Sequence, residues 1–295
     1  MLGEILTAIV TPFHPDGTLD VPAFRSLARH LVENGSDGIV VSGTTGESPA
    51  LTDSERFTLY EAAVEEVGGE ATVVAGTGTY STAHSIHLTE RAQDLGVDGV
   101  LVVVPYYNKP PQRGIVAHFE RVAAATALPV VAYNIPGRVV VDVEPATMAR
   151  LAEIDNLVAV KQAKPDPEDA RRIVDLGLDL YAGDDDLILP FLELGGTGGI
   201  CVHTHVVGQQ VKELVRRYRA GDVEGARALD RELRPAIELL QVQVNPIAIK
   251  CALELLGHEV GPLRLPLVSA SEEERERVRS CLERLGLLQP AAAGA

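Results

Sequence analysis

Eight short runs rich in valine and isoleucine punctuate the first two thirds of the chain: EILTAIV, DGIVVSG, ATVVAGTG, DGVLVVVP, LPVVAYN, NLVAVKQ, LDLYAGD and GGICVHT. Near-continuous apolar runs of this kind read as strands covered on both faces, which is the signature of a parallel sheet. Between them lie segments with helical apolar spacing: Val21 to Asn34, Ser54 to Val67, Thr82 to Leu95, Gly114 to Ala125, Pro145 to Ile154, Pro167 to Leu176 and Leu187 to Leu194. An eighth, Val206 to Arg219, follows the last run. Caps or a proline open most of these, and Asn34-Gly35, Leu95-Gly96 and Leu176-Gly177 close three of them. Eight strands alternating with eight helices, at about 30 residues per unit, predict an α/β fold of the (β/α)8 TIM-barrel type.

The barrel is expected to occupy residues 1–220. Residues 221–295 show no further strand pattern; Glu224 to Val244, Pro246 to Leu256 and Glu272 to Leu287 read as a C-terminal helical appendage, with the terminal QPAAAGA expected to fray. Acidic residues outnumber basic ones 42 to 26, a formal net charge of -16 that repels phosphate backbones and anionic lipid heads. Neither nucleic acid nor a membrane surface is expected as a partner. MLGEILTAIVTPF has no basic leader region and carries Glu4 within its apolar run, so the expected location is cytoplasmic. Cys201, Cys251 and Cys281 are far apart, without a CxxC pair, and read as small buried residues rather than as metal or disulfide partners.

Catalytic groups of such barrels lie where strands end and the following loops begin. Lys161 ends the run Leu157 to Val160, which carries a primary amine on a rigid strand into an apolar mouth. Desolvation favours the free amine, and a free amine attacks a ketone to form an imine. A lysine whose stem packs while its head reaches water is the competing reading. Tyr133 ends the fifth run, where a phenol can give and take protons during carbinolamine dehydration; alone, it could equally be a tyrosine at the core edge. Arg138 follows the Pro136-Gly137 turn with a fork suited to a carboxylate, or is simply a surface arginine. Tyr106-Tyr107 offers another phenol or a packing surface for a neighbouring subunit. In Gly43-Thr44-Thr45-Gly46-Glu47, inward amides and two hydroxyls form a donor set for a small carboxylate, while Ser48 or Thr52 caps the next helix.

Other signals read as structural. Gly195 to Gly199 precedes the eighth strand and so forms a tight turn on the opposite face of the barrel. Asp184-Asp185-Asp186 is expected to cap a helix, and His203-Thr204-His205 lacks a third metal ligand.

GTTGE, Pro105-Tyr106-Tyr107, YNIPGR at Tyr133 to Arg138, the strand-borne Lys161 and GDD at Gly183 to Asp185, in this order, resemble the dihydrodipicolinate synthase and N-acetylneuraminate lyase family. Its members are pyruvate-dependent class I aldolases built as a barrel with a C-terminal helical segment, and the resemblance covers nearly the whole chain. It implies that Lys161 is the Schiff-base lysine and that Tyr133, Thr44 and Tyr107 relay protons. Thr45, Gly183 and Ile200 would contact bound pyruvate, and Arg138 would hold the carboxylate of the second substrate. Arginine at 138 favours the branch that condenses pyruvate with L-aspartate 4-semialdehyde in lysine and diaminopimelate biosynthesis. The alternative is an aldolase for a 2-keto-3-deoxy sugar acid or N-acetylneuraminate, which would gain from polar groups where Val139 and Val140 stand. A phosphosugar isomerase would need a basic pocket after the seventh strand, where three aspartates stand, and a catalytically silent oligomer would not need the intact residue set.

The resemblance further implies that Tyr107 enters from the partner in a tight dimer, that two dimers form a homotetramer, and that neither metal nor organic cofactor is used. Gln162-Ala163 stands where an acidic residue is more usual, and Val139-Val140 where a small polar pair is. Tyr80 and His84 replace the Asn and Glu of lysine-inhibited members, so weak or absent inhibition by lysine is expected.

Overall fold

The computed structural model describes residues 2–289. Eight parallel strands close in sequence order, with β1 (Ile5–Ala8) hydrogen-bonded to both β2 (Gly38–Val41) and β8 (Gly198–Cys201). Between these lie β3 (Thr72–Gly76), β4 (Gly99–Val103), β5 (Val130–Asn134), β6 (Leu157–Gln162) and β7 (Asp179–Ala182). The expected (β/α)8 barrel is thus present, and the apolar runs are continuous because the helices cover the outer face while side chains fill the interior.

The surrounding helices are α1 (Val21–Glu33), α2 (Asp53–Val67), α3 (Thr82–Asp94), α4 (Gln112–Ala123), the single turn α5 (Pro136–Val139), α6 (Pro145–Leu151), α7 (Pro167–Asp175), α8 (Ile188–Glu193) and α9 (Thr204–Arg219). Asp20 accepts from Ala23 N at the start of α1, and Asp166 from Glu168 N and Asp169 N at α7. Thr52 forms a reciprocal capping box with Glu55 at α2, worth about 1 kcal/mol. Of the two expected caps after GTTGE, Thr52 therefore serves, whereas Ser48 opens a short 3-10 turn.

The C-terminal segment comprises α10 (Val223–Glu232), α11 (Arg234–Leu240), α12 (Ile247–Leu255) and α13 (Glu272–Arg284). The helix expected over Glu224 to Val244 is two: α10 ends at Glu232, and Pro235 lies in the first turn of α11, where its missing N–H costs nothing. Helix α10 packs on α9, and α13 on α11 and α12. The terminal QPAAAGA lies, from residue 290 onward, outside the described residues. All three cysteines are buried.

The Gly195 to Gly199 turn lies before β8, with Gly196 N donating to Phe191 O at 2.7 Å and Thr197 N to Leu180 O at 2.8 Å. On that same face Asp37 accepts from Glu4 N and Ile5 N and pairs with Lys212. No helix among the described residues is long and apolar enough to cross a membrane.

Candidate active site

Neighbouring strands bring Tyr133 and Lys161 together. They are register partners across β5 and β6, and Lys161 also pairs with Tyr181 across β6 and β7. Lys161 Nζ stands 4.3 Å from the centroid of the Tyr133 ring, and both side chains are buried. They border a cavity of about 410 Å3 at the carboxyl ends of the strands, which Thr44, Thr45, Arg138 and Gly183 also line. This is the face on which barrel chemistry is expected.

Burial pushes the Lys161 amine down from an ordinary 10.5 to about 8; Arg138 acts in the same direction, while Asp185, Cys201 and Asp184 oppose it. Burial, with Asp184, raises the Tyr133 phenol, against the opposing pull of Arg138 and a hydrogen bond with Thr44. The pair therefore presents an amine that loses its proton readily beside a hydroxyl that keeps its own. Burial and then the Asp185 charge raise the Asp184 carboxyl, which Lys161 and Arg138 oppose.

The Gly43 to Glu47 loop is held from several sides. Glu47 N donates to Thr44 O at 3.1 Å, and Thr11 Oγ1 donates to Gly46 O at 2.7 Å. Ser42 and Glu47 bracket the loop with φ of 55° each, a left-handed conformation that non-glycine residues keep only when their surroundings impose it. Gly183 directly follows β7, where a Cβ would come within 2.9 Å of Ala163 N, so a side chain there would push the neighbouring strand ends apart. Arg138 rides on α5, and Val140, at φ 69°, closes that turn.

Two positions implied by the resemblance lie elsewhere. Ile200 is fully buried in β8 and does not line the cavity; Val202, two residues on, does. Tyr107 is 90% exposed at φ 72° and does not border this chain's cavity, while Tyr106 stacks edge-on against Tyr80 at 5.5 Å. The two unusual dipeptides do not reach the cavity either. Gln162 Oε1 accepts from Asn134 Nδ2 at 3.0 Å on the far side of β6, Val139 is buried in the core, and Val140 is 66% exposed. Neither Val139 nor Val140 borders the cavity of this chain.

Asp185 is not a helix cap. Its Oδ1 accepts from Val202 N and His203 N, each at 2.7 Å, and lies 2.6 Å from His203 Nδ1. Burial raises its carboxyl, but His203 and these amides outweigh that and bring it below the usual range. Asp185, Cys201 and His203 place ligand-type atoms within 4.8 Å of one another, the one such grouping among the described residues. The carboxylate oxygen that would face a metal already serves two amides. His205 is separate: its Nε2 accepts from Val10 N at 3.2 Å.

The C-terminal segment supplies what the strand-end reading missed. Asn245 Nδ2 donates to Thr45 Oγ1 at 2.9 Å, which leaves the Thr45 hydroxyl proton free to point into the cavity, and Gln241, Gln243 and Val244 line the same wall. Lys250, fully buried in α12, pairs with Glu47 at 3.1 Å. Its one sequence signal was a charge inside the apolar run Ile247 to Leu253.

The Dihydrodipicolinate synthetase family model matches residues 1–285. The chain belongs to that family. It is 50% identical over 289 residues to the 4-hydroxy-tetrahydrodipicolinate synthase of Moorella thermoacetica, covering 97% of this chain and 99% of that one. A crystal structure of DHDPS from Cyanidioschyzon merolae with lysine bound superposes with a TM-score of 0.95 at 42% identity, covering 97% and 99% of the two chains. A structure described as the first monomeric dihydrodipicolinate synthase variant aligns with a TM-score of 0.94 at 41% identity, over 97% of this chain and 98% of that one.

Proposed function

We propose that this chain is a lyase that condenses pyruvate with L-aspartate 4-semialdehyde to 4-hydroxy-tetrahydrodipicolinate, in lysine and diaminopimelate biosynthesis. The observation that carries the mechanism is the buried Lys161 amine, brought down to about 8 and set against Tyr133. Lys161 Nζ attacks the ketone carbon of pyruvate; the hydroxyl of the resulting carbinolamine takes a proton from Tyr133 and leaves as water, giving an iminium on Lys161. The iminium acidifies the adjacent methyl, which returns a proton to Tyr133 to give the enamine. The enamine carbon attacks the aldehyde, and the amine of the semialdehyde displaces Lys161 from the imine, closing the ring and freeing the enzyme. One water leaves overall. Thr45 offers its hydroxyl to the pyruvate carboxylate, Thr44 does so while relaying protons with Tyr133, and Arg138 binds the carboxylate of the semialdehyde. Gly183 leaves room for pyruvate.

The relay is completed by Tyr107 from a partner subunit in a dimer, two of which form a tetramer. Its exposure and left-handed backbone suit a side chain presented outward. The reaction needs no metal or organic cofactor, so activity after exhaustive chelation is the expected outcome. Borohydride reduction with pyruvate, followed by intact-protein mass spectrometry on wild type and Lys161→Ala, tests the site. A pyruvate adduct confined to wild type, together with semialdehyde turnover, supports the reading. An adduct without turnover moves the activity to a sugar-acid aldolase, and no adduct overturns the role of Lys161.

A further inference from the structure

Lys250 is a buried cation that the chemistry above does not use. Its Nζ donates to Thr11 O at 2.9 Å, to Pro262 O at 2.7 Å and to Glu47 Oε1 at 3.1 Å, and it lies 4.8 Å from the Phe13 ring centroid. The other oxygen of Glu47 accepts from Arg264 N at 2.9 Å. Glu47 is buried at the end of the loop that carries Thr44 and Thr45. Thus α12 and the segment after it grip the loop from behind, while Thr11 holds its Gly46 carbonyl. Burying both charges costs several kcal/mol of desolvation each, which hydrophobic residues of similar volume would avoid. A cost of that size beside a substrate loop calls for a use.

We infer that Lys250 and Glu47 are positioning residues: the buried pair fixes the left-handed end of the Gly43 to Glu47 loop so that Thr44 and Thr45 meet the pyruvate carboxylate. The inference rests on the site reading above and deepens it. Tyr133 and Lys161 are carried by β5 and β6 rather than by this loop, which reaches Tyr133 through Thr44 alone. Loss of the pair therefore weakens pyruvate capture more than it slows the chemistry that follows.

The test uses Glu47→Gln, close to isosteric, with Lys250→Met beside it, and reads half-saturation by pyruvate both in turnover and in borohydride trapping. The expected result is a rise of roughly ten- to a hundredfold in both, by analogy with removal of the residues that orient metal ligands, with kcat at saturating pyruvate held within about threefold. Lys212→Met, which breaks the ion pair with Asp37 on the opposite face, serves as the control for a merely structural loss and should leave half-saturation unchanged. If both buried-pair variants fold poorly, Thr11→Val removes the hydroxyl on Gly46 O without stranding a charge, and the same direction of change is expected. A folded Glu47→Gln protein, or failing that a folded Thr11→Val protein, with wild-type half-saturation overturns the inference. Failure of wild type itself to be trapped would instead overturn the reading of Lys161.

Discussion

Replacing the buried lysine should stabilise the protein it disables. Lys161 is 5% exposed, and its amine titrates at about 8 in the folded chain against 10.5 when unperturbed. Between those values the unfolded chain binds the extra proton, so folded stability rises with pH across that window. Below pH 8 the full cost of burying the ammonium is present; at about 1.4 kcal/mol per pH unit it amounts to about 3 kcal/mol. Near pH 10 about 1 kcal/mol of it remains. Lys161→Met keeps a long unbranched side chain, loses the charge, and should gain that difference, a rise of about 5 °C in Tm for a chain of this size at pH 7. Thermal unfolding of both proteins at pH 7 and pH 10, beside an activity assay showing the variant inert, measures it. The gap between the two proteins should narrow as pH rises. A variant no more stable than wild type at pH 7, or a gap that does not shrink by pH 10, would refute desolvation as the cause of the amine's acidity. The experiment also separates a site held at a cost from a lysine that merely fits its surroundings.

Tyr133→Phe should lower kcat by roughly a hundred- to ten-thousandfold through loss of its proton, with the imine still trapped slowly at saturating pyruvate in the borohydride assay. Arg138→Leu should leave pyruvate trapping unchanged and raise KM for the semialdehyde; a matching rise for pyruvate would reassign the guanidinium. Lysine at millimolar concentration should leave initial rates unchanged. His84 takes the place of a carboxylate and its Nε2 lies 2.8 Å from Asp53 Oδ1, so that acid is already engaged; strong partial inhibition would defeat the expectation.

What the sequence made legible follows from range of interaction. The eight strands, GTTGE and Lys161 are local signals: apolar runs, glycines and a lone amine at a strand end. They are readable because the barrel places successive strand ends side by side, as the partnership of Tyr133 and Lys161 shows. The Glu47 to Lys250 pair joins residues far apart in sequence, and nothing near Glu47 announces that a lysine in α12 will meet it. Face was lost for a similar reason. Gln162 and Val139 stand one residue from site groups, but alternation on a strand and the turn of α5 direct them into the core. Asp185 looked like a cap because it opens a helical turn; its actual partners, the amides of Val202 and His203, come from the next strand's end.

The grip on the substrate loop has a consequence for how the molecule is made. The eighth strand ends at Cys201, whereas Lys250 and Arg264 come much later in the chain. During synthesis every strand of the sheet is made before the residues that hold Glu47 have left the ribosome. On the inference drawn above, chemical competence is among the last properties the nascent chain acquires, and a gene cut after the barrel would encode a GTTGE loop without the partners that Glu47 has here.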